Sequence, residues 1–137
     1  YEDLIEKESS DFEWPEFDEN TASGLCYTSG TTGNPKGVLY SHRSTVLHAL
    51  IQCFYNVGSF SPKKKILPIV PLFHANAWGI PYSAPISGTS LVFPGANLDG
   101  KSVYDLLEKY SVNSAWGVPT VWMGLLEEIS QRGGKKP

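Results

Sequence analysis

The run Thr28-Ser29-Gly30-Thr31-Thr32-Gly33-Asn34-Pro35-Lys36-Gly37 constrains this chain more than any other segment. Its glycines let the backbone take positive φ and approach a ligand closely. Thr28, Ser29, Thr31 and Thr32 carry hydroxyls, and Lys36 adds a full positive charge. Hydroxyls, backbone N–H groups and a lysine together suit the oxygens of a polyphosphate. A polar surface turn with an incidental lysine is the bland alternative. The strand-to-loop context favours phosphate. The run is not the NTPase P-loop, because Gly33 is followed by Asn34-Pro35 rather than by the spacing that ends in Gly-Lys-Ser/Thr. It is neither a dinucleotide G-x-G-x-x-G nor a G-x-S-x-G nucleophile elbow.

The surrounding pattern predicts four strand-then-helix units. Residues 25–28 (LCYT) read as a β-prone strand feeding the loop. Val46, Leu47, Leu50, Ile51 and Phe54 recur at helical spacing and predict a helix, with Gly58 as a stop. Residues 66–70 form a second strand candidate, with Pro68 a reservation. Residues 76–86 are apolar but hold Gly79, Pro81 and Pro85, so any helix there is short or kinked. Residues 89–93 (TSLVF) predict a third strand. Val103, Leu106, Leu107 and Tyr110 predict a helix starting near Ser102, with Asp105 completing a capping box. Residues 112–116 predict a fourth strand, and Val121, Leu125 and Ile129 a last helix from Pro119-Thr120. Alternation of this kind implies an α/β fold: a parallel sheet with helices on its faces. Ligands of such sheets bind at the carboxyl ends of strands.

Charge divides the chain unevenly. Residues 1–20 hold nine acids and one base, and read as a solvated connecting segment before a domain over 21–137. The rest holds ten bases and five acids, which suits an anionic ligand, yet the bases are scattered and predict no nucleic-acid partner. Lys63-Lys64-Lys65 reads as a solvated loop. Two cysteines outside any CxxC pair predict reduced thiols and a cytoplasmic location. His42 and His48 are spaced poorly for zinc, and His48 reads as structural. Trp14, Trp116 and Trp122 are expected in a core or interface, and Cys53 as a buried thiol. The first residue is Tyr1, the tail is loop-like and no charged-then-apolar leader opens the chain, so the expectation is a piece of a longer, unexported protein.

YTSGTTGNPKGV resembles the phosphate-binding loop of the adenylate-forming superfamily: acyl-CoA synthetases, luciferases and peptide-synthetase adenylation domains. Residues 71–79 (PLFHANAWG) resemble its P-x-F-H segment, residues 117–120 its G-V-P-T segment, and the Tyr40-Ser41-His42-Arg43 run is common there. The similarity covers about residues 21–132, and HANAWGIPY is most like medium- and long-chain fatty-acid CoA ligases.

This resemblance implies part of the large N-terminal domain of an adenylate-forming enzyme. It implies an acid–thiol ligase that uses ATP, Mg²⁺ and CoA: a carboxylate attacks the α-phosphate, and CoA then takes the acyl group. Thr28, Ser29, Gly30, Thr31, Thr32 and Gly33 would cradle phosphates, with Lys36 assisting, and Thr28 would lie near the metal. His74 would border the carboxylate, making His74 and Lys36 the catalytic candidates. Ala75 and Trp78 would sit beside the nucleotide. His74, Trp78, Gly79 and Gly117 would line the acyl site, with Trp78 as a gate. Taken alone, His74 and Trp78 read as ordinary structural residues. The family's Mg²⁺-binding glutamate segment, ribose-binding aspartate, hinge and C-terminal lysine domain have no counterpart in the sequence, so the isolated chain is expected to make no acyl-CoA. Partners implied are fatty acid, ATP and CoA, with peripheral membrane contact through a lipid substrate and a homodimeric parent. Two alternatives stay open: a non-catalytic nucleotide- or acyl-binding module, and an adenylating enzyme for an aryl or amino acid.

Overall fold

The computed structural model describes residues 2–30, 33–54 and 60–137. The acidic lead-in is exposed from Glu2 to Asn20 and holds only one helical turn, α1 (Glu2–Ile5). Trp14 lies there at 82% exposure, edge-on to Phe12, and not in a core as the sequence suggested.

The first folded unit corrects the strand-then-helix expectation. Strand β1 (Ala22–Thr28) pairs antiparallel with β2 (Lys36–Ser41), so the glycine-rich loop joins the two strands of a ribbon. Gly30 and Gly33 both have positive φ, the conformation a chain reversal demands. The alternating reading missed β2 because it looked for a helix directly after the loop. That helix, α2 (His42–Cys53), starts only after β2. Ser41 caps it: its Oγ accepts from the Ser44 N–H, and the Ser44 hydroxyl answers at the Ser41 N–H.

The parallel sheet is a separate three-stranded one, ordered β4-β3-β5. Its strands are β3 (Lys65–Pro68), β4 (Ser90–Leu91) and β5 (Ser114–Trp116), shorter than the sequence runs implied. Pro68 stands at the last position of central β3, where a missing donor is tolerated. Between β3 and β4 lie a single turn, α3 (Ala75–Trp78), and helix α4 (Ile80–Ser87), short and broken at Gly79 as the glycine and prolines require. Helix α5 (Gly100–Tyr110) leads into β5, and α6 (Pro119–Gln131) follows it.

Alternation along β3 divides two apolar clusters. Ile66 and Val70 pack with Phe60, Ala77, Ile80 and Ala84. Leu67 and Ile69 pack with Val103 and, at the margin, Leu106, Val121 and Leu125. The sheet therefore has helices on both faces, as a parallel sheet needs. The cap of α5 is Asp99 and not Ser102. The Asp99 carboxylate accepts from the Ser102 side chain and backbone, and these bonds hold its pKa below the ordinary value. Asp105 instead bonds Lys101 and Arg132.

On helix α2 the apolar stripe is not the buried face. Val46, Leu47, Leu50, Ile51 and Phe54 are exposed, while Ala49 and Gln52 are the buried positions. Spacing identifies a stripe, but it does not say which stripe meets this sheet.

Helices α5 and α6 cross where Gly100 meets Gly124. A Cβ on Gly100 would stand 2.1 Å from the Gly124 carbonyl oxygen, whereas one on Gly124 would meet nothing closer than 3.6 Å. Gly100→Ala is expected to cost about 1–3 kcal/mol by forcing the helices apart. Gly124→Ala should be neutral or stabilise by up to ~1 kcal/mol, because alanine is the better helix former. Urea melts of the two variants check the asymmetry, and equal losses would contradict it.

Candidate functional site

The glycine-rich loop stands at the end of the ribbon. Thr28 and Lys36 are a register pair, which closes the loop at its base. Thr28, Ser29, Gly33 and Lys36 are exposed, and Gly30 is half-buried. Gly30 has φ +65°, and a Cβ there would meet the Asn34 carbonyl oxygen at 3.1 Å. Gly33 has φ +139° and open space around it. Thr31 and Thr32 lie outside the described residues. Among the described residues Lys36 joins none of the ion pairs, which leaves its charge for a ligand.

The second group of predicted residues falls on an unusual turn. Ala75, Asn76, Ala77 and Trp78 have φ of 47°, 51°, 46° and 56°, and Gly79 follows at 81°. Four consecutive non-glycine residues thus run left-handed, at roughly 1–2 kcal/mol each. Strain of this kind persists only where the surroundings fix it. Ala77 is fully buried against the sheet cluster. The Asn76 Oδ1 accepts from the Cys26 Sγ at 3.3 Å, which ties the turn to the strand that carries the glycine-rich loop. The Trp78 carbonyl accepts from Gln52 Nε2 at 2.6 Å and lies 3.2 Å from His48 Nε2.

Ala75, Trp78 and Gly79 line one cavity of about 360 Å³, opposite Tyr40, Thr45 and His48. The Trp78 ring also lies 6.3 Å from the Trp116 ring, next in sequence to Gly117. Gly117 itself faces Trp122: a Cβ there would stand 3.0 Å from the indole, whose Nε1 donates to the Gly117 carbonyl. His74 is exposed ahead of the turn, and neither it nor Gly117 lines that cavity. The structure therefore gathers Ala75, Trp78 and Gly79 and leaves the loop residues on their own ribbon.

Sequence reasoning missed Asn76, Gln52 and the part played by His48. One signal was present. Thr45, His48 and Gln52 put polar groups at i, i+3 and i+7 of α2, among apolar residues from Val46 onward, which marks a face with hydrogen bonds to make.

Residues 1–136 match the AMP-binding enzyme family. The chain belongs to that family. It is 54% identical over 135 residues to a 3-methylmercaptopropionyl-CoA ligase of Ruegeria lacuscaerulensis, and 55% identical over 135 residues to a medium-chain-fatty-acid–CoA ligase of Ectopseudomonas oleovorans. Each match covers 98% of this chain and 25% of the relative, so the chain spans about a quarter of the length of these curated relatives. Among solved structures it superposes on a long-chain-fatty-acid–CoA ligase of Archaeoglobus fulgidus with a TM-score of 0.78 at 26% identity, over 94% of this chain and 25% of that one. It also superposes on an o-succinylbenzoate CoA synthetase of Bacillus subtilis in complex with ATP and magnesium, with a TM-score of 0.73 at 27% identity, over 92% and 26% of the two chains. The adenylate-forming resemblance and the α/β fold read from the sequence thus hold for this chain.

Gly79 tests how tightly the turn is held. A Cβ there would stand 2.6 Å from His48 Cδ2, at a φ of +81° that L side chains rarely adopt. Gly79→Ala is expected to cost about 1–3 kcal/mol. Adding His48→Ala should return only the steric part of that loss. Denaturant melts of the two single variants and the double give the coupling, and strict additivity would place the ring away from the turn.

Proposed function

We infer that the whole protein is an ATP-dependent acyl-CoA ligase for an aliphatic carboxylic acid, a medium- or long-chain fatty acid in the first instance. This chain supplies its phosphate-holding loop and one wall of its acid site. The observation that carries the reading is the exposed loop closed by the Thr28–Lys36 pair, in a chain half identical to CoA ligases. The acid's carboxylate oxygen attacks the α-phosphorus of ATP, and pyrophosphate leaves. The CoA thiol then attacks the acyl carbonyl, and AMP leaves. Neither step needs a protein nucleophile, so positioning and charge neutralisation carry the chemistry.

Each part of the chain has a task in that scheme. Backbone N–H groups at Gly30 and Gly33, the hydroxyls of Thr28, Ser29, Thr31 and Thr32, and the Lys36 ammonium hold the phosphate oxygens. His74 orients the carboxylate. Ala75 and Trp78 border the nucleotide, and the Trp78 indole screens the acyl path from water. Gly79 and Gly117 keep the acyl wall free of side chains. Mg²⁺ would neutralise phosphate charge. Among the described residues no three His, Cys, Asp or Glu side chains gather to hold a metal ion. The exposed Thr28 hydroxyl fits a lesser part, one oxygen beside a cation held mainly by phosphates. The cytoplasmic location expected from the two cysteines, and the membrane contact through a lipid substrate and homodimeric parent that the family resemblance implies, belong to the same proposal. Among the described residues no helix is long and apolar enough to cross a membrane.

A second reading has its own support. The Ruegeria relative, at 54% identity, is named for a short thioether acid. Acid-dependent pyrophosphate exchange by the full-length protein separates the readings: octanoate, palmitate, 3-(methylthio)propionate, benzoate and an amino acid are offered in turn. Exchange with octanoate or palmitate is expected, and exchange confined to benzoate or the amino acid would overturn the assignment. In the same assay Lys36→Ala should weaken ATP use by about 1.5–3 kcal/mol, the worth of a charge-assisted contact, and leave the acid KM little changed. Unchanged ATP kinetics would remove the loop from the phosphate site.

A further inference from the structure

The carbonyl of Trp78 has lost its helical partner. The Tyr82 N–H, four residues on, bonds the Gly79 oxygen at 3.1 Å, as does the Ser83 N–H. The change of hand at Gly79 aims the Trp78 carbonyl at α2, where Gln52 Nε2 donates to it at 2.6 Å and His48 Nε2 stands at 3.2 Å. Trp78 is 36% exposed, and its ring stands 6.3 Å from the Trp116 ring. Its backbone carbonyl is the point at which hydrogen bonds hold it.

Gln52 is only 6% exposed and uses both ends of its amide. Its Oε1 accepts from the fully buried Ser83 hydroxyl, which orients the amide with Nε2 toward Trp78. A buried amide costs stability unless each end is bonded, and an aliphatic side chain would fill this space without that requirement. His48 brings Cδ2 and Nε2 up to the Gly79 backbone, close enough that no Cβ fits between them. Together the two side chains hold the Trp78 carbonyl, which meets no backbone donor among the described residues.

We propose that His48 and Gln52 are positioning residues of the acid-activating site: by gripping the Trp78 carbonyl they hold the left-handed turn, and with it the indole, against the cavity. What the indole does there rests on the function proposed above, while the grip rests on geometry alone. Neither side chain is a catalytic residue, since each acts through the backbone of Trp78.

The test uses the full-length protein with Gln52→Glu, His48→Ala and His48→Gln. Gln52→Glu, read at a pH high enough to ionise the buried carboxyl, keeps the shape and the acceptor but removes the donor. His48 is exposed, so His48→Ala leaves the core intact. His48→Gln restores a donor. The first readout is acrylamide quenching of Trp78 emission, taken as the difference between each protein and its Trp78→Phe counterpart. The second is KM for the acid against KM for ATP. Gln52→Glu and His48→Ala are expected to make Trp78 more readily quenched and to raise the acid KM roughly tenfold, with the ATP KM within about twofold of its starting value. His48→Gln should return both readouts toward the unsubstituted protein. A folded His48→Ala or Gln52→Glu protein with unchanged Trp78 quenching overturns the proposal, as does a parallel rise of both KM values. If Gln52→Glu does not fold, His48→Ala and His48→Gln decide. If the unsubstituted protein shows no acid-dependent exchange, the functional reading falls, and the quenching measurement still decides the grip.

Discussion

A carbonyl held by two side chains sustains the site. The Trp78 oxygen is the point where α2 takes hold of a turn that local energetics disfavour. L-residues do not run left-handed for four positions on their own account. The opposing terms come from outside the turn. Ala77 is buried on Ile66 and Val70 of the central strand cluster, Asn76 bonds Cys26 of the ribbon, and Gln52 and His48 hold Trp78. Sheet, ribbon and helix each contribute one anchor, so the turn reports on how all three are placed.

That arrangement explains which face of α2 is buried. A helix with polar groups at 45, 48 and 52 can turn them outward at no cost or inward if partners wait for them. Here the partners are the Trp78 carbonyl and Ser83, and the inward face holds Ala49, small enough for α4 to approach. The outward face is then apolar, with Val46, Leu47, Leu50 and Ile51 exposed by 43–50% each. A contiguous apolar stripe is more than scattered surface leucines, and it stands unpartnered among the described residues of a chain that spans a quarter of its relatives.

How far the sequence carried the reading depends on what kind of constraint was at work. The three parallel strands were legible because β-branched and apolar runs bounded by glycine, proline and asparagine leave little choice. The broken helix after β3 was legible because Gly79 and Pro81 act on the backbone directly. The β2 strand was not: Val38, Leu39 and Tyr40 suit a strand, but a phosphate loop is so often followed by a helix that the return strand was overlooked. The cap at Asp99 was displaced by a rival pattern, Ser102 with Asp105, of the same chemical form. The left-handed turn was invisible. Nothing in Ala-Asn-Ala-Trp favours positive φ except Asn76, and the conformation comes from contacts 26 to 50 residues away in sequence.

The link between Cys26 and Asn76 has a consequence for how the two halves of the site relate. The ribbon and the parallel sheet share no ladder hydrogen bonds. Side chains tie the ribbon to the elements beside the sheet: Cys26 to Asn76 of the left-handed turn, and Ser23 to Thr45 of α2. A thiol is a weak donor, so Cys26 to Asn76 guides position more than it adds stability. Cys26 lies two residues before Thr28, and Asn76 two before Trp78. A displacement of the loop's first strand is therefore passed to the turn through the Cys26–Asn76 contact. The loop and the wall of the cavity are set in one frame, although the sheet that supports the wall does not contain the strand that supports the loop.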